Sequence, residues 1–189
     1  MGKIISFMHI SLDGYVAGPS GEMDWIKIDQ ELFDYVGKRI SKGNTALYGR
    51  VTYEMMESYW PTAADKPNAT KHDIEHSKWY KQVRKIVLSK SMKDTDLPNT
   101  TIISDNLSDN LDQVKQETDN EILLFGSPTA THSLIQQSLI DGYWLFVNPI
   151  ILGQGIPLFV ESQEKTALKL LPTTRQFTSG VTELNYEVE

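Results

Sequence analysis

No cysteine occurs anywhere in the 189 residues, which removes disulfides, thiolate nucleophiles and cysteine-based metal centres and suits a reducing cytoplasm. Positive charge is scarce as well: 18 Lys and Arg stand against 25 Asp and Glu, a formal net charge of −7. A nucleic-acid partner needs a basic stripe, and none is visible, so any anionic ligand must be held by a few local donors. No apolar run approaches the length of a membrane span, and the opening MGKIISFMHI has neither the apolar core nor the cleavage site of a secretory signal. The glycine-rich fingerprints G-x-G-x-x-G and G-K-[ST] are absent too, so neither of those phosphate-binding loops is available. The expectation is a cytoplasmic protein with no membrane and no nucleic-acid partner.

What is present describes an ordinary globular chain, with 40% apolar residues and 10% aromatics, and its length suits one domain over residues 1–189. Residues 3–10 read as a buried strand, and Asp29 to Ile40 as a helix with Leu32, Phe33, Val36 and Ile40 on one face. A strand at Thr45 to Tyr48 gives way at Gly49 to a helix from Arg50 to about Ser58, and the proline-bearing stretch Pro61 to Asp73 reads as a surface loop. A helix through Ile74 to Gln82, strands at KIVLSK and TIIS, and a helix LSDNLDQVKQET capped near Ser108 or Asp109 follow. The strand EILLFGS then runs into PTATHSLIQQSLI, which has the proline-first pattern of a helix start. The last third, GYWLFVNPIIL, ALKLLPTTRQF and GVTELNYEVE, is strand-like throughout and should pair largely antiparallel. An alternating βα front with a β-rich tail predicts an α/β fold whose sheet is mixed, mostly parallel, with an antiparallel C-terminal edge.

Two places repeat a strand, a glycine and a helix start. At ALYGRVTYE the helix after Gly49 aims free N–H groups and its positive dipole end beyond the sheet, Arg50 adds a planar cation and Thr52 a hydroxyl. At LLFGSPTATHSL, Gly126 permits close backbone approach while Ser127, Thr129 and the next helix start offer a second phosphate cradle. Two cradles suggest a dinucleotide, and Lys90, closing VLSK at a strand's carboxyl end, supplies a third contact.

The segments SLDGYVA, GRVTYE, VLSK and GSPTATHSLIQQSLIDGYWLFVNPIILGQGIPLF together resemble the dihydrofolate-reductase-like family, in the branch of the riboflavin-biosynthesis reductase domain. The resemblance covers nearly the whole chain, and PIILGQGIPLF is its most specific part. It implies a three-layer αβα sandwich and an NADPH-dependent reductase, commonly homodimeric, acting on a small heterocycle. Carried over, Gly49, Arg50, Val51 and Thr52 hold the pyrophosphate and 2'-phosphate region, Leu88, Ser89 and Lys90 lie near the adenosine phosphate, and Gly126, Ser127, Pro128 and Thr129 form the other phosphate loop. Preference for NADPH over NADH then follows from Arg50 and Lys90. The zinc deaminase half of the bifunctional riboflavin enzyme has no counterpart in a chain without cysteine, and Gly126-Ser127-Pro128 replaces the Gly-Gly often found in relatives.

By the same resemblance Asp13, after the first strand, faces nicotinamide and substrate. It is the candidate catalytic residue, a proton source if burial against cofactor raises its pKa; read alone, Asp-Gly is also a turn signal. Tyr15, Trp25 and Tyr53 complete the candidate substrate contacts, with core packing the alternative for the aromatic rings. A true dihydrofolate reductase would instead need Glu31 or Asp34 to face a pteridine, and a nucleotide-binding protein without turnover would keep the cradles alone. His72 and His76 share a helix face but lack a third metal ligand, so no metal is expected.

Overall fold

The computed structural model describes residues 1–42, 45–93, 96–160 and 165–189. In chain order it contains β1 (Ile4–Ser11), β2 (Tyr15–Ala17), α1 (Gln30–Ile40), β3 (Thr45–Gly49), α2 (Arg50–Ala63), α3 (Lys71–Gln82), β4 (Lys85–Leu88), β5 (Thr100–Ile103), α4 (Leu107–Gln116), β6 (Ile122–Phe125), α5 (Pro128–Gln136), β7 (Gly142–Asn148), β8 (Ile156–Pro157), β9 (Leu168–Leu170) and β10 (Thr182–Val188).

Strands that are apolar at every position satisfy both faces only when helices cover both, and β6 (ILLF) is buried throughout. Along β3 and β6 the side chains alternate between two cores. Leu47, Ile122 and Leu124 pack with Leu111 and Val114 of α4 and Ala130 and Leu134 of α5. Ala46, Tyr48, Leu123 and Phe125 pack with Leu32, Val36 and Ile40 of α1, Tyr53 of α2 and Tyr80 of α3. The result is the expected three layers: α4 and α5, the sheet, then α1, α2 and α3.

The sheet has the order β5-β4-β3-β6-β1-β7-β10-β9. Its pairings are parallel from β5 through β7 and antiparallel at β7–β10 and β10–β9. The mixed sheet with its antiparallel C-terminal edge is as predicted, with one amendment: β7 pairs parallel with β1 on its other side. A separate two-stranded sheet joins β2 to β8.

Several boundaries differ from the sequence reading. The helix α2 continues past Ser58 and through Pro61 to Ala63. Pro61 lies in the last turn, where it removes one i→i−4 bond and crowds the carbonyl four residues back, and Trp60 beside it is held 4.0 Å from the His76 ring of α3. α3 starts at Lys71 rather than Ile74 because Thr70 and Asp73 form a capping box. α4 begins after Asn106, a left-handed residue without a side-chain cap bond, rather than on a Ser108 or Asp109 cap. α5 ends at Gln136, four residues earlier than its pattern suggests.

Candidate active site

The connections explain where a ligand site can form. β3 and β6 are parallel neighbours, yet β3 is followed by α2 on one face and β6 by α5 on the other. The chain therefore parts at their carboxyl ends, which is the switch-point crevice of open α/β sheets. A cleft of about 580 Å³ opens there, lined by Gly49, Arg50, Val51 and Thr52, by Leu88, Ser89 and Lys90, and by Ser127, Pro128 and Thr129. Three segments far apart in sequence, all expected to meet cofactor, thus form one concavity of ligand size.

Its electrostatics follow from the helix ends. α2 and α5 have no acidic residue in their first turns and no side-chain cap bond, whereas α1, α3 and α4 carry Glu31, Asp73 and Asp109 there. Of the helix starts at the cleft, those of α2 and α5 are thus the ones whose positive dipole ends stay uncompensated by their own sequence. They approach closely: a Cβ added at Gly49 would stand 3.3 Å from Ala130 Cβ and 3.4 Å from Ser127 Cβ. Arg50 uses Nη1 on Glu54 at 2.9 Å with both side chains substantially exposed, a pairing too weak to withhold the guanidinium from a phosphate.

Gly126 stands just behind the wall. Its φ of +53° is the left-handed turn that swings the chain into α5, and a Cβ there would meet nothing closer than Thr52 Cγ2 at 3.8 Å, so the glycine serves backbone conformation rather than close approach. Ser127 corrects the expectation of a hydroxyl free for phosphate. Its Oγ accepts the Gly49 N–H at 2.9 Å and donates to the Phe125 carbonyl at 3.0 Å, tying the ends of β3 and β6 together. Ser89 is similarly occupied, its Oγ accepting the N–H groups of Ser91 and Met92.

The substrate-side candidates fare unevenly. Tyr53 is 3% exposed in the core under α2 and α3, because residue 53 lies on the sheet-facing side of α2; it has no access to the cleft. Trp25 is half-buried in the loop before α1 and donates Nε1–H to the Glu22 carbonyl at 3.2 Å. Tyr15 opens β2, opposite Pro157. Neither ring lines the cleft.

Asp13 is exposed, and its carboxylate accepts the N–H of Leu152 at 3.1 Å and of Gly153 at 2.8 Å. A hydrogen bond from the Ser11 hydroxyl, reinforced by these amides, holds it below the ordinary carboxylate range. The converging donors favour the carboxylate and so oppose the upward shift that burial against cofactor would bring. The acids of the first helix are committed too. Asp29 caps α1 through the Leu32 N–H at 2.7 Å, Glu31 pairs with Arg175 at 2.6 Å, and Asp34 accepts from Gln30 at 2.9 Å.

Sequence reasoning missed Ser91, Ile103, Ser104, Leu107 and Ile156, which also line the cleft. Ser104 and Leu107 follow β5, so extending the strand-end argument to the TIIS run would have found them; nothing local marks Ile156. His72 and His76 lie in an aromatic stack, His72 3.7 Å from the Phe33 ring. Among the described residues no group of three or more His, Cys, Asp or Glu is placed to hold a metal ion.

The layers, the sheet order and the switch-point cleft define a dihydrofolate-reductase-like α/β protein. The chain belongs to the RibD C-terminal domain family, whose model matches residues 2–182. It is 30% identical over 188 residues to the uncharacterized protein YyaP of Bacillus subtilis (strain 168), covering 97% of this chain and 94% of that one. Among solved structures, it superposes on a protein of Shewanella sp. PV-4 assigned to riboflavin biosynthesis with a TM-score of 0.73 at 22% identity, covering 100% and 99% of the two chains. It also superposes on a diaminohydroxyphosphoribosylaminopyrimidine deaminase/5-amino-6-(5-phosphoribosylamino)uracil reductase of Thermotoga maritima, with a TM-score of 0.67, 14% identity and coverage of 100% of this chain and 57% of that one.

Proposed function

We propose that the protein is an NADPH-dependent reductase that adds hydride to a C=N or C=O bond of a small heterocycle, of the ribosylamino-pyrimidine class named for the Thermotoga relative. One observation carries the reading: two helix starts free of acid and of side-chain caps meet at adjacent strand ends, with Arg50 and Lys90 on the same cleft. That donor set fits a ligand with several phosphates, as NADPH has. When bound, the dinucleotide supplies the hydride. The first-turn N–H groups of α2 and α5 would hold its phosphate oxygens, Arg50 and Lys90 would take the 2'-phosphate, and Ile103, Leu107 and Ile156 would exclude water. The accompanying proton would come from solvent, because the donors converging on Asp13 favour its carboxylate.

The pterin alternative is not favoured, because neither Glu31 nor Asp34 lines the cleft. A binding protein without turnover would take up NADPH stoichiometrically and oxidise none of it with pyrimidine, pterin or quinone substrates. Homodimerisation belongs to the same proposal, along the β9 edge where Leu168 and Leu170 face solvent, and a cytoplasmic location suits the cysteine-free chain. Among the described residues no helix is long and apolar enough to cross a membrane.

The test is a thermal-shift titration with NADPH and NADH. Binding to the native state raises Tm by mass action, so NADPH should stabilise more than NADH at equal concentration. Arg50→Ala should narrow that difference, and Arg50→Ala combined with Lys90→Ala should abolish it. Equal shifts in the wild-type protein would remove Arg50 from the 2'-phosphate.

A further inference from the structure

The carboxylate that opens this question sits between two loops. β1 ends at Ser11, the Leu12 N–H donates to the Ile150 carbonyl at 2.8 Å, and the Leu158 N–H donates to Gly14 at 2.9 Å. Between those rungs Asp13 accepts two consecutive backbone N–H groups, of Leu152 and Gly153. The buried Ser11 hydroxyl donates to it as well while accepting the Tyr15 N–H at 2.9 Å. Beyond this point β2 and β8 pair, Ala17 opposite Ile156 and Tyr15 opposite Pro157. The approach is tight: a Cβ at Gly155 would stand 2.2 Å from the Ala17 carbonyl oxygen. On the far side the Pro157 carbonyl meets His132 Nε2 of α5 at 2.9 Å. Ile156, between the two anchors, reaches the cleft wall.

We propose that Asp13 is a positioning residue: with His132 it latches the segment 152–157 so that Ile156 closes one wall of the nucleotide cleft. The latch stands on the loop geometry, while its effect on ligand rests on the reading of the cleft as an NADPH site. A carboxylate suits the task because each oxygen can take one of two neighbouring amides, a concave pair of donors that favours an anion. The same contacts argue against proton donation, since a carboxyl proton would displace one of these donors.

The test compares wild-type, Asp13→Asn, Asp13→Ala and Ile156→Ala chains by amide hydrogen exchange without nucleotide and by NADPH titration. Exchange at Leu152 and Gly153 should rise about tenfold or more in Asp13→Ala, with NADPH binding several-fold weaker. Asp13→Asn should lie between, because its amide oxygen still accepts one N–H. Ile156→Ala should weaken NADPH binding and leave exchange at Leu152 and Gly153 unchanged. Unchanged exchange in Asp13→Ala would overturn the latch, and faster exchange with unaltered NADPH affinity would overturn its coupling to the cleft. A proton donor would give a third pattern that also overturns the proposal, in which Asp13→Asn binds NADPH and exchanges like wild type but loses turnover and the acid-dependent limb of its pH profile. If the wild-type chain failed to bind NADPH while Asp13→Ala still exchanged faster, the latch would stand and the cofactor reading would fall.

Discussion

His9 lies on β1 with its ring 5.2 Å from that of Phe146 and nearly parallel to it, and burial pushes its imidazole down to about 4. Burial likewise takes His76 to about 3. An unfolded histidine takes up its proton near pH 6.5, so each of these groups contributes stability that is complete above that pH and lost as pH falls toward the folded value. The paired carboxylates, Asp13 and Asp29 among them, are shifted down from 3.8, so their contribution persists to lower pH and is lost only below the ordinary carboxylate range. Urea unfolding should therefore weaken between pH 6.5 and 4, ahead of the carboxylate range. His9→Gln should remove part of that slope, by at most about 3 kcal/mol. A wild-type midpoint flat from pH 7 to pH 4 would contradict the burial of both rings. At this scale the sequence is least legible: nothing in it marks Glu183, wholly buried on β10, as the acceptor for Trp144 Nε1 at 2.6 Å and Tyr35 hydroxyl at 2.9 Å. Those partners come from β7 and α1, so only the fold brings them together.

Elements were far more readable, because periodicity and end signals are local. The continuous apolar runs of β3, β4 and β6 identify parallel strands buried on both faces, and Gly49 and Pro128 mark the helix starts that matter most for the site. Errors fell where a local signal met a tertiary one. Pro61 reads as a helix stop, yet Trp60 packing on His76 carries α2 through it. Tyr53 reads as a ring at a ligand site, but the helix turn points it into the core. The edge element β9 carries its own prediction. All three of its residues are exposed, Leu168 and Leu170 included, and an apolar unpaired edge is a surface for another chain. Light scattering should give twice 21.4 kDa, and Leu170→Lys should shift the protein toward monomer; a wild-type monomer would refute the dimer.

At the level of the whole molecule, the decisive feature is adjacency that no linear pattern states. β3 and β6 are separated in sequence by two helices on one face of the sheet, two further strands and a helix on the other, yet they pair in register from Thr45 opposite Ile122 to Leu47 opposite Leu124. Their shared end brings the starts of α2 and α5 to one cleft, and β4 brings Lys90 to its side. The helix starts after Gly49 and Ser127 were legible because glycine turns and N1 prolines are local signals. Their convergence was available only through the family resemblance, since sheet order depends on which faces each crossover covers. The most direct measurement is a crystal structure of the protein soaked with NADPH. The account predicts the dinucleotide across the β3 and β6 ends, with phosphates on the first turns of α2 and α5 and the 2'-phosphate against Arg50. Density for NADPH at any other surface, with this cleft empty, would contradict it.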